Sequence, residues 1–202
     1  MLYFSKQGLL RLHDHIIYHY GGETGVLHEG LVDAAAQRPR TTIANTEMYK
    51  GYIVKACSLA FALISWHPFV DGNKRTALYS MANMLSMNGI YMPFPPYLVK
   101  YSLLVAREEM KEAEFTKRID SICAPNNSFQ RFWKDLRYSK TPQWELRLLN
   151  RYTSKGTEQK LVDWLAAGDL PTLQQTMQDY SNMPKRTESP EFKYKEGDIL
   201  ET

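Results

Sequence analysis

The sequence predicts an all-α fold: a helical bundle with one short hairpin, followed by a helical C-terminal extension. Three observations predict it. Apolar residues recur at three- and four-residue spacing through most of the first 124 positions, which gathers them on one face of successive helices. No convincing series of strands with alternating apolar and polar residues is present. Glycine and proline punctuate the periodic stretches where helices must stop.

Ser5 is placed to cap a first helix whose Leu9, Leu12, Ile16 and Tyr20 share a face, with Gly21-Gly22 ending it. A short helix spans Gly30 to Gln37 and stops before Pro39. The polar, threonine-rich stretch Arg40 to Tyr49 reads as a loop or short hairpin. Residues 50–65 are almost wholly apolar and form the best candidate for a central buried helix. Pro68 and Gly72 interrupt, and a helix resumes from Asn73 through Ala77, Leu78, Met81, Ala82 and Leu85, closed by Asn88-Gly89. Met81, Met84 and Met87 read as core packing. Two further helices are expected, over about 97–109 and 113–123. The stretch Ala124-Pro-Asn-Asn-Ser128 is the clearest break. It divides the chain into a first domain (1–124), a helical extension (125–183) and a polar tail from Pro184 to Thr202 whose composition suits an unfolded segment.

Composition narrows the class. Of 202 residues, 44% are apolar and 23% charged, as in soluble globular proteins, and the net charge of +3 is mild. The two cysteines, Cys57 and Cys123, are far apart in sequence and form no CxxC, so a reducing cytoplasm is expected rather than a disulfide framework. The apolar run Ala56 to Trp66 falls short of the ~20 residues that cross a bilayer, and no secretion signal opens the chain. No membrane association is expected.

Chemistry concentrates in His67-Pro-Phe-Val-Asp-Gly-Asn-Lys-Arg-Thr-Ala-Leu78. Gly72 and Asn73 fall where a helix begins and backbone N–H groups lack intrahelical partners, an arrangement that attracts anions. Lys74 and Arg75 add positive charge there; Arg75 can grip phosphate oxygens with two prongs and Lys74 acts as a point charge. Asp71 sets a carboxylate beside them, which a bound Mg²⁺ bridging to phosphates would neutralise, or which caps the helix. His67 can take a proton near neutral pH. Phe69 and Val70 are expected to anchor the loop in the core. A base, a metal ligand and a phosphate cradle within ten residues suit phosphoryl or nucleotidyl transfer. The spacing is not that of a Walker A loop, because Asn73 separates Gly72 from Lys74 and Arg75 follows. His15 and His19 stand four residues apart, but no third metal ligand accompanies them.

The order His67-x-Phe69-x-Asp71-Gly72-Asn73-Lys74-Arg75 closely resembles the signature of the Fic/Doc family, and of its Doc (death-on-curing) branch in particular. Leu12-His13-Asp14, Tyr20-Gly21-Gly22, the run from Gly30 to Pro39 and Asn88-Gly89-Ile90 resemble other parts of that branch. The similarity extends over about residues 1–124. It implies a Fic/Doc-type helical bundle, with the stretch 40–49 as a flap that positions the target. It further implies His67 as general base, Asp71 as Mg²⁺ ligand, and Gly72, Asn73, Lys74 and Arg75 as the binding site for ATP or another nucleoside triphosphate. AMP-transferring Fic enzymes usually carry Gly after the motif's Asn and a second Arg three positions beyond the first; here those positions are Lys74 and Leu78. The Doc branch implies transfer of the terminal phosphate to a protein hydroxyl, with elongation factor Tu as a target and a separate antitoxin as regulator. Protein AMP transfer, or a non-catalytic binding module on the same scaffold, are the other readings.

Residues 129–160 carry eight Lys/Arg against three acids, interleaved with aromatics. No recognised nucleic-acid motif accompanies them, so packing or partner docking is expected instead of nucleic acid. The stretch Ser154 to Glu158 approaches the family's inhibitory pattern, but Gln159 stands where Gly or Asn is needed.

Overall fold

A computed structural model describes residues 1–92, 97–125 and 192–201. The short strand β1 (Leu2–Phe4) leads into helix α1 (Lys6–Tyr20). Ser5 caps the helix, its Oγ accepting the Gly8 N–H at 3.0 Å. Leu9, Leu12 and Ile16 are fully buried, and Tyr20 is half-buried. The chain leaves α1 at Gly21, whose φ of 78° suits glycine and whose N–H still reaches Ile17 O at 2.9 Å.

Helix α2 (Glu29–Gln37) runs into a single 3₁₀ turn, Arg38–Arg40, since Pro39 has no N–H with which to continue an α-helix. The threonine-rich stretch forms a two-stranded hairpin, β2 (Thr42–Ile43) against β3 (Thr46–Glu47). Its turn residues Ala44 and Asn45 take φ of 48° and 60°, the backbone twist that favours tight two-residue hairpins.

Helix α3 (Tyr52–Trp66) is the centre of the molecule. It packs against α2, the 3₁₀ turn, α4 (Asn73–Met87), α5 (Tyr97–Ala106) and α6 (Glu112–Ile122), and its residues 55–60 and 62–64 are buried. A helix apolar on nearly every face is stable only when enclosed in this way. The α3–α4 pair shares the largest interface, so the loop between them is held at both ends by the core. Met81 and Met84 on α4 are fully buried, as core packing requires. Strand β4 (Ile90–Tyr91) pairs with β5 (Ala124–Pro125), the first two residues of the sequence break. No described helix is long and apolar enough to cross a membrane.

Of the tail expected to be unfolded, residues 192–201 have a defined structure, while 184–191 and 202 lie outside the described residues. Residues 192–201 fold back onto the start of the chain, with β6 (Ile199–Glu201) antiparallel to β1 in the register Leu2–Glu201, Tyr3–Leu200, Phe4–Ile199. Composition misleads here because the polar groups are spent on hydrogen bonds. Asp198 is 2% exposed. Its carbonyl accepts the Ser5 N–H at 2.8 Å, its carboxylate accepts the Lys195 N–H at 2.7 Å, and it pairs with Arg11. Ser5 Oγ donates to Gly197 O. The expected helical extension past Pro125, the basic-aromatic stretch and the Ser154 to Glu158 pattern lie outside the described residues.

Candidate active site

The site is built on the six-residue loop between α3 and α4. His67 terminates α3 in the left-handed conformation, φ 47° and ψ 54°, and is exposed. A non-glycine residue there carries backbone strain that the surroundings must impose. They do so through the segment after α1. Leu27 and His28 both donate backbone N–H groups to Pro68 O, at 2.8 and 3.1 Å, Val70 N–H donates to Gly25 O at 3.1 Å, and Val26 bridges Phe69.

Phe69 is fully buried, as expected, but Val70 is 38% exposed. The expectation that both anchor the loop fails for Val70 because the backbone is extended at this bridge. Successive side chains then point to opposite sides, and only one can enter the core.

Gly72 begins α4 with φ 77°. A β-carbon on it would stand 2.9 Å from Ile17 Cδ1 and 3.3 Å from the ring of His13, so both conformation and space demand glycine. Asn73, 7% exposed, donates from Nδ2 to Phe69 O at 2.8 Å and accepts the Phe69 N–H at 2.9 Å. Its side chain is therefore committed to the loop, and what it can offer a ligand is its backbone N–H. Because the first intrahelical bond runs from Thr76 N–H to Gly72 O, the N–H groups of Asn73, Lys74 and Arg75 form the first turn with no intrahelical acceptor.

Asp71 and Arg75 pair with each other, Nη2 to Oδ2 at 3.1 Å, while Asp71 Oδ1 accepts the Gly72 N–H and Arg75 Nη1 donates to Gly21 O, each at 2.5 Å. Arg75 is 4% exposed. The carboxylate thus already has a cation beside it, supplied by the chain, and the charge argument for a metal is met without one. Asp71 keeps a side chain 39% exposed and a second lone pair on each oxygen. It can therefore give Mg²⁺ the single carboxylate that, with phosphates and water, is this ion's usual protein contact. No cluster of three or more His, Cys, Asp or Glu suited to a metal occurs among the described residues. Gly22 lies directly over the pair, since a β-carbon there would come within 2.5 Å of Asp71 Oδ2. Lys74 is half-buried at the same helix start. One turn beyond Arg75, the Tyr79 and Tyr20 hydroxyls share a 2.6 Å hydrogen bond that ties α4 to the end of α1.

Sequence reasoning missed His13 as part of this site. It is 1% exposed, stacks on Phe69 with ring centroids 3.9 Å apart, and its Nδ1 lies 3.2 Å from Thr76 Oγ1. Burial and the nearby Arg75 charge lower its pKa to about 4, so the ring is neutral at ordinary pH. Its place beside Leu9, Leu12 and Ile16 on the apolar stripe of α1 was the available signal. His15 and His19 pack edge to face with each other, and His15 also meets Phe192.

The pattern described as the Fic/DOC family matches residues 3–85, which include the whole loop and the start of α4. Over 110 residues the chain is 34% identical to "Protein kinase doc" of Escherichia phage P1, covering 54% of this chain and 86% of that protein. The chain belongs to the Fic/Doc family. It is also 40% identical over 73 residues to "Toxin Doc" of Mycolicibacterium smegmatis, a match that takes in 36% of this chain and only 56% of that relative. The mainly helical architecture found here is the family's. Within it, the position where AMP-transferring Fic enzymes usually place a second arginine is Leu78, 1% exposed and turned into the core between helices.

Proposed function

We propose that the chain is a Doc-like toxin that transfers the terminal phosphate of ATP, or another nucleoside triphosphate, to a Ser or Thr hydroxyl of a protein. The carrying observation is the similarity to the phage protein named as a kinase, across 86% of its length. Leu78 supports the same choice: a buried leucine offers no charge to a second phosphate-binding position, which leaves Lys74 and the first-turn N–H groups of α4 as the cradle.

In the proposed reaction His67 takes the proton from the target hydroxyl, whose oxygen attacks the terminal phosphorus as the bond to the bridging oxygen breaks and the nucleoside diphosphate leaves. Strain at His67 is the cost of presenting the imidazole outward at the head of the phosphate-binding helix. Mg²⁺ held through Asp71 would neutralise charge on the phosphates. Arg75, buried and bonded to Gly21 and Asp71, orients that carboxylate more than it reaches into solvent. The proposed target is a translation factor, elongation factor Tu in particular. The proposed setting is the cytoplasm, with an antitoxin protein as the regulating partner.

Incubation with bacterial lysate and ATP labelled on either the α or the γ phosphate tests this reading. We expect protein label from γ alone, abolished by His67→Ala. Label from the α position would replace this reading with AMP transfer. No label from either, with His67→Ala indistinguishable from the parent on expression in cells, would leave a non-catalytic scaffold.

A further inference from the structure

The hairpin of β2 and β3 is exposed along all of residues 41–48, with Ile43 and Met48 more than half exposed. Its direction is thus set at its foot, and there one side chain does most of the fastening. The guanidinium carbon of Arg38 lies 5.3 Å from the ring centroid of Tyr49 and 5.3 Å from that of Trp66. Tyr49 is buried two residues past β3. Trp66 is the last residue of α3 and the neighbour of His67. Arg38 Nη2 also donates to Glu112 Oε2, at the start of α6, at 2.8 Å. Arg38 O accepts the Thr41 N–H at 3.1 Å, so the same residue begins the chain's turn into the hairpin. A second tie is Lys55 Nζ on α3 to Glu47 Oε1 at 2.7 Å.

We propose that Arg38 is a positioning residue, clamping the hairpin to the end of α3 so that whatever seats against the hairpin is held in register with the His67 imidazole. The clamp is not an economical way to gain stability. Arg38 Nε and Glu112 Oε1 are both buried without a hydrogen-bond partner, and the two side chains stay 23% and 28% exposed, a setting in which an ion pair contributes about 0–1 kcal/mol. Arginine suits the position because its planar cation can lie against two aromatic faces while one nitrogen points at a carboxylate. Lysine could keep the charge but not the flat double contact.

The catalytic consequence rests on the transfer reaction proposed above; the clamp itself does not. The experiment therefore has two readouts on the full chain, using Arg38→Lys and the paired variant Arg38→Met/Glu112→Leu. The first is backbone amide hydrogen exchange. Residues 41–49 should exchange at least tenfold faster in both variants, while α3 and α4 keep their protection. The second is steady-state transfer from γ-labelled ATP to purified elongation factor Tu. KM for the protein acceptor should rise about tenfold, with KM for ATP changing less than twofold. Unchanged exchange over 41–49 in both variants overturns the clamp, whatever the chemistry. Faster exchange with unaltered acceptor KM overturns its role in positioning. If the parent labels neither elongation factor Tu nor any protein of a bacterial lysate while exchange responds as expected, the reaction assignment falls and the clamp stands.

Discussion

The imidazole of His13 lies flat on the ring of Phe69, centroids 3.9 Å apart and planes 5° from parallel, beneath the glycine that opens α4. The contact joins α1 to the active-site loop through a residue that must stay neutral. Its pKa falls to about 4 because burial and Arg75 disfavour the cation. Between the ordinary value of 6.5 and about 4 the unfolded chain binds a proton that the folded chain refuses. This contribution to stability is full above pH 6.5 and is lost as pH falls toward 4, by up to about 3 kcal/mol. Denaturant unfolding across pH 4 to 7 should show that slope in the parent and a much shallower one in His13→Gln. Parallel slopes would mean that His13 titrates as freely folded as unfolded.

His67 combines two properties that substitution can separate. Its left-handed backbone is unfavourable for any side chain and neutral for glycine. Both His67→Gly and His67→Ala lack the imidazole, so the backbone strain shows in their difference: His67→Gly should melt above His67→Ala by roughly 1 kcal/mol. Both should lose phosphate transfer by about 10²–10⁴-fold, the usual worth of a positioned base. A glycine variant less stable than the alanine variant would contradict the strain seen at this residue.

Asn73 braces the loop through its side chain, bonded to both backbone groups of Phe69, and has its backbone N–H to offer a ligand. Asn73→Ala removes a donor and an acceptor from buried backbone groups of Phe69, which should cost about 2–4 kcal/mol. Asn73→Asp keeps the acceptor and loses the donor, so about half that cost is expected. Urea titration measures both, and a loss under ~0.5 kcal/mol for the alanine variant would show the brace to be dispensable.

Gly8 faces the returning tail so closely that an added β-carbon would collide with the Asp198 carbonyl. Gly8→Ala in the full chain should destabilise by about 1–3 kcal/mol through overpacking. In a chain lacking residues 192–202 the same change should be neutral or stabilising, since alanine is the better helix former. Thermal melting of the four proteins gives the coupling directly. Additive effects would show that the tail does not rest on α1 in solution.

The helices were legible because each is a local pattern. Ser5, Gly21, Pro39 and Asn88-Gly89 mark ends, and the apolar period marks faces. The stretch 40–49 was legible as a loop or short hairpin but its register was not, since Ala44 and Asn45 do not announce a left-handed turn as Asn-Gly does. The site's residues were legible as one contiguous run. Their division of labour was not: nothing in spacing says that Asn73 spends its side chain on Phe69, that Arg75 turns to Asp71 and Gly21, or that Val70 faces out.

What the amino-acid order determined alone is therefore the helical class, the family-like loop from His67 to Arg75, and the core stripe from which that loop hangs. What the tertiary structure decided are the partnerships across long separations: His13 with Phe69, Arg38 with Tyr49, Trp66 and Glu112, and Asp198 with Ser5 and Arg11. Period and capping act within a few residues and so can be read along the chain. A stacked ring or a buried ion pair depends on which helices come side by side, and that is set only when the apolar faces close on one another.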